Sequence, residues 1–153
     1  TLAGQYLGAQ SKVGAAHAVR MCWYVAMVVM GAIGLCLVVF APDLVRVMSP
    51  NGGEQAEMAV EVLRYVGWVQ PFFATAMVMK MSMRGAGATV SVMFFSFGIM
   101  LIFRVGLLAM SFQFFGDQMT LTKVWLVMML DLIVQAIVFA VLHFRGKWLD
   151  AEV

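Results

Sequence analysis

Arg104, Asp131 and Gln135 are the residues of this chain whose type and setting imply chemistry. Arg104 and Asp131 each lie deep in a run of apolar residues, where an ion is expensive and is expected to serve a function. Gln135 stands four positions after Asp131, so the two share one face of a helix. A carboxylate, a guanidinium and an amide inside apolar helices can form a static pair that locks two helices, or a charge switch beside a cavity. Nothing points to enzymatic catalysis: no His, Cys and carboxylate cluster has metal-ligand spacing, no Gly-rich loop follows a strand, and no nucleophile has a base. No catalytic residue and no metal ligand is assigned.

The elements that must position these residues are four apolar runs, at about residues 21–41, 62–83, 90–110 and 124–144. Each is long enough for a helix at 1.5 Å per residue to cross a hydrocarbon core of about 30 Å. Lipid supplies no hydrogen-bond partners, so the runs are expected to be helices. Residues 1–9 read as the end of an earlier helix, followed by a polar connection bearing Lys12, His17 and Arg20. Pro42-Asp43 is expected to end the first full span, and Glu54, Glu57 and Glu61 suit the positive end of the next helix. Arg84-Gly85-Ala86-Gly87 makes a hairpin so short that the third span must run antiparallel to the second. Gly116-Asp117 marks the following turn. Counting along the spans puts Arg104 about 21–24 Å and Asp131 about 16–20 Å from the same membrane edge, close enough for an arginine to reach across.

Composition agrees: the 153 residues are 63% hydrophobic and 12% charged, about half the charge of a soluble domain. A net charge of +2 gives no argument for nucleic acid. The opening on Thr1 shows no basic n-region of a signal peptide, and the lack of an initiating Met reads as a fragment. Lys12, Arg20, Lys80, Arg84, Arg145 and Lys147 fall on one side, against Arg46, Arg64 and Lys123 on the other. Six cations against three put the first group, and the C-terminus, in the cytoplasm. Cys22 and Cys36 read as packing residues, His17 and His143 as solvated interfacial residues, and Trp23, Tyr24, Trp125 and Trp148 as interfacial anchors.

Pro71 sits inside the second span and is expected to kink it, its ring crowding the carbonyl of Gly67. Trp68, Phe72, Thr75 and Met79 continue from Arg64 along one face near that kink. Ordinary packing explains such a face; the functional alternative is a soft aromatic wall for organic cations.

Four segments, in order, resemble the multidrug and toxic compound extrusion (MATE) transporters. They are Ala3-Gly4-Gln5 through Gly8-Ala9; Leu63-Arg64-Tyr65 with Pro71-Phe72-Phe73 and Arg84-Gly85-Ala86-Gly87; Arg104; and Trp125, Asp131 and Phe144 through Trp148. The resemblance implies that residues 1–153 form most of the C-terminal lobe of a twelve-helix transporter. The fold class is then an all-α membrane protein, with four complete transmembrane helices plus the end of a fifth. It further implies export of organic, cationic or amphipathic compounds by antiport with Na⁺ or H⁺, and an inner membrane of a bacterial or archaeal cell. Membrane lipid, a small organic substrate and the N-terminal lobe would be the partners, with no cofactor besides the transported ion. Gln135 stands where the family often has arginine, Gly106 near a common proline, and Ala88 where a polar residue follows the hairpin glycines. The Pro71 helix lacks the carboxylate with which some members bind Na⁺. A lipid-linked oligosaccharide flippase of related architecture and a non-transporting structural module are the alternatives.

Overall fold

Apolar runs in lipid should fold as helices, and the computed structural model is helical throughout, with no strand among the residues it describes, 2–50, 52–115 and 121–145. A short α1 (Leu2–Gly8) leads through Gln10, which takes a positive φ of 57°, into α2 (Lys12–Met48). Then come α3 (Glu54–Gly85), α4 (Thr89–Ile99), a π-helical segment (Met100–Gly106), α5 (Leu107–Phe115) and α6 (Leu121–Phe144). α4, the π segment and α5 follow one another without a break, the junction residues Ile99, Met100 and Leu107 all keeping right-handed helical backbone.

α2 overruns its expected limits at both ends. Ser11 caps it, its hydroxyl accepting the Gly14 N–H at 3.3 Å, so Lys12, His17 and Arg20 ride on the opening turns of the helix rather than in a connecting loop. At the other end the helix passes through Pro42 to Met48. Proline removes one ladder bond, but Ala41 and Val45 remain buried on either side of it, so packing holds the helix together past the break. α3 likewise runs through Pro71. Glu54 and Glu57 lie in its first turn and Arg84 in its last, each at the helix end whose dipole favours its charge.

Among the described residues three helices have the length and composition to cross a membrane: Lys12–Met48, Thr89–Phe114 and Thr122–Phe144. The expectation of four such spans differs at α3. Its 32 residues are long enough, but Arg64, Gln70 and Lys80 make it less apolar than its neighbours. The physical reason is its position: α3 packs against both α2 and α6, so part of its surface meets protein and can carry polar groups.

α2 and α3 approach closely at Gly34 and Gly67. A β-carbon on Gly67 would stand 2.6 Å from the Gly34 carbonyl oxygen and 2.6 Å from Val38 Cγ2, and one on Gly34 would collide with the Gly67 carbonyl oxygen. Small residues thus let two backbones touch, as is common between membrane helices. Below this crossing Met79, Met83 and Phe139 form the core with Ala15 and Val19, joining α2, α3 and α6. The turn expected at Gly116-Asp117 and the basic tail Gly146-Lys147-Trp148 lie outside the described residues.

Candidate functional site

Asp131 is 1% exposed, among the most enclosed large side chains of the bundle. The helical register that puts Gln135 one turn further along α6 brings its amide onto the carboxylate, and Nε2 donates to Oδ1 and Oδ2 at 3.0 Å each. The other end of the amide, Oε1, accepts a hydrogen bond from Lys80 Nζ of α3 at 2.6 Å. That ammonium also lies 5.3 Å from the centroid of the Phe139 ring, within the range of a cation–π attraction.

Arg104 comes from the π segment, and its Nε stands 3.9 Å from Asp131 Oδ2. The separation allows Coulomb attraction but exceeds a hydrogen bond. Arg104 Nε is buried and has no hydrogen-bond partner among the described residues. The centre therefore holds two cations and one anion, linked in the order Lys80, Gln135, Asp131 and then, more loosely, Arg104. Segments of π-helix are rare and recur at functional sites, and this one carries a charged member of the cluster. Among the described residues no group of three His, Cys, Asp or Glu side chains converges as a metal site would require.

Lys80 is the member that sequence reasoning missed, because it stands near the end of an apolar run and reads as one of the cytoplasmic-side charges. The available signal was helical spacing. Lys80 lies four residues after Ala76 and three before Met83, and both of those neighbours are buried. Those positions mark the inward face of α3.

The face proposed around Pro71 divides. Trp68 and Phe72 are exposed, and Trp68 lines an open apolar cleft of about 420 Å³ with Tyr65, Leu126, Met129 and Leu130. Thr75 instead turns to α2: its hydroxyl accepts the Trp23 indole N–H at 3.1 Å and donates to the Pro71 carbonyl, 3.0 Å away. Met79, 1% exposed, belongs to the core and not to a substrate-facing wall. Gly67, whose carbonyl lies one turn before Pro71, also makes the close contact with Gly34.

Other expectations need correction. His143 is buried rather than solvated, with Nδ1 3.4 Å from Ser82 Oγ and its ring edge-on to Phe144. Trp23 ties α2 to α3 rather than serving only as a lipid anchor, while Tyr24 is exposed. Cys22 and Cys36 are free and exposed on α2, not packed inside.

Long apolar helices closing around a buried carboxylate and its two cations define an integral membrane protein. The MatE family model matches residues 1–115, well over half of the chain, and the chain belongs to that family of membrane transporters. Comparison with curated proteins and with solved structures gives no match. The family match ends before α6, so Asp131 and Gln135 lie outside the matched residues.

Proposed function

We propose that this chain is the C-terminal lobe of a twelve-helix antiporter that exports organic cationic or amphipathic compounds against inward flow of Na⁺ or H⁺. In this reading α1 is the end of the eighth helix and α3 is a full membrane span. The polar groups of α3 then lie against α6 or at the membrane faces. The cytoplasmic C-terminus and a bacterial or archaeal cell membrane belong to the same reading. Trp68 and Phe72, with the cleft beside them, are its substrate-facing surface; aromatic faces attract organic cations.

The observation that carries the proposal is Asp131, buried in a candidate span with Arg104 and Lys80 arranged around it in a member of a transporter family. Buried charge of this kind marks ion or substrate pathways in membrane proteins. The test is efflux from proteoliposomes containing the full-length protein, loaded with a cationic dye and energised in turn by a sodium and by a proton gradient. Efflux under one gradient, absent without it, is expected. Efflux equally fast without any gradient would defeat antiport, and transfer of a lipid-linked oligosaccharide in place of dye would favour the flippase alternative.

A further inference from the structure

We infer that Lys80 is a positioning residue of the charge centre, acting on Asp131 through the side-chain amide of Gln135. An ammonium group has donors and no acceptor, and an ionised carboxylate has acceptors and no donor. The amide between them has only one orientation that serves both. Its Oε1 must face Lys80, where the bond is 2.6 Å, and its Nε2 must face Asp131, where it stands 3.0 Å from each oxygen. The cation on α3 thereby dictates which end of Gln135 the carboxylate on α6 meets.

Three observations make this more than a passing surface contact. Lys80 is held at its head by the Phe139 ring as well as by Gln135, and Phe139 is fully buried. Both carboxylate oxygens are engaged by the same Nε2, so the plane of the Asp131 carboxylate follows the amide. Arg104 Nε meanwhile stays 3.9 Å away and unpaired among the described residues. Two cations from two different elements thus address one anion, and the one acting through Gln135 has it. The centre has a second setting within reach, in which Oδ2 turns from the amide and accepts the Arg104 N–H. The Arg104 side chain is 33% exposed and its buried Nε makes no hydrogen bond among the described residues, so no such bond holds Nε at its 3.9 Å separation. Removing Lys80 frees the amide to rotate and lets Arg104 take the carboxylate.

The inference rests on the transporter reading above, and a transport cycle is where exchange between the two settings would be felt. The experiment measures gradient-driven dye efflux by the full-length protein in proteoliposomes, per folded molecule, for the wild type, Lys80→Met, Lys80→Arg and Gln135→Glu. Lys80→Met is expected to keep KM and to lower kcat at least about tenfold, equivalent to about 1.4 kcal/mol on the barrier. Lys80→Arg restores most of the rate, because the guanidinium again presents only donors to Oε1. Gln135→Glu is the decisive companion: it strengthens the contact to Lys80 but turns a second carboxylate against Asp131. It should lose kcat as Lys80→Met does. Wild-type turnover in Gln135→Glu would make Lys80 a simple anchor between α3 and α6 and overturn the inference, and it decides the matter even if Lys80→Met fails to fold. Normal kcat in Lys80→Met beside an active wild type overturns this inference alone. An inactive wild type overturns the transporter reading and this role together.

Discussion

Gly34 and Gly67 meet backbone to backbone where α2 crosses α3, with no space for a β-carbon on either side. The obstacle is a carbonyl oxygen in each direction, and a carbonyl in a helix cannot swing away as the tip of a flexible side chain would. Gly67→Ala should therefore force the helices apart and destabilise the bundle by about 1–3 kcal/mol, the usual range for overpacking. Thermal unfolding in detergent reads this directly. Gly98→Ala is the control, because a β-carbon there meets nothing within 4 Å. Equal melting of the two variants would show that α2 and α3 adjust freely at this crossing.

The Trp23–Thr75 hydrogen bond ties the same two helices closer to the Lys80 end of α3. Thr75→Val keeps the shape and removes the hydroxyl. Interhelical hydrogen bonds in membranes average about 0.6 kcal/mol and reach about 1.7 kcal/mol, so a small loss of stability is expected. Thr75→Ser should retain it, and the red-edge tryptophan fluorescence should shift in the valine variant only. A Thr75→Val protein with unchanged melting and emission would mean that Trp23 is held by packing.

Asp131→Asn removes the anion that Arg104 faces directly and Lys80 faces through Gln135, and among the described residues it leaves the centre without a carboxylate. Breaking a buried pair in this way costs about 3–5 kcal/mol, so a sharp fall in folded yield is expected. Had Arg104 been the sole partner, the double variant Arg104→Gln with Asp131→Asn would recover the yield fully. Because Lys80 is also part of the centre, recovery should be partial, and adding Lys80→Met should complete it. Yield by size-exclusion chromatography across the series measures this. Full recovery in the double variant would mean that Lys80 carries no share of the balance.

Pro71 lies within an unbroken α3, and the Thr75 hydroxyl donates to its carbonyl one turn on. If bending at this point admits substrate, Pro71→Ala should slow turnover in the full-length protein with little change in substrate affinity. Dye efflux and dye binding compared side by side distinguish this from a packing role, for which both would stay at wild-type values.

The helical class, the runs that form it and the approach of Arg104 to Asp131 could all be read from residue types and depth along the spans. Those features follow from hydrocarbon length and the expense of buried charge, which act on single residues and are local in sequence. What escaped depends on neighbours far along the chain. Lys80 and Gln135 are 55 positions apart, and only the packing of α3 on α6 joins them. Met79 resembled Phe72 in spacing, yet one is sealed in the core and the other is exposed, because α2 and α6 cover part of α3 and leave the rest open. Pro42 reads as a helix stop, yet α2 continues six residues beyond it to Met48.

The π segment at Met100–Gly106 breaks the phase of the helix that contains it. With hydrogen bonds reaching five residues back instead of four, each of its turns accommodates more residues than an α turn. A helical wheel drawn with one angular step from Thr89 to Phe115 therefore rotates everything beyond Gly106 to the wrong side. Leu107 to Phe115 should be plotted afresh from the end of the segment, and substitutions meant to probe a shared face of α4 and α5 should be paired by that corrected phase. A single-residue deletion within Met100–Gly106 would bring the two halves back into α register and swing Arg104 relative to Asp131 without changing either side chain.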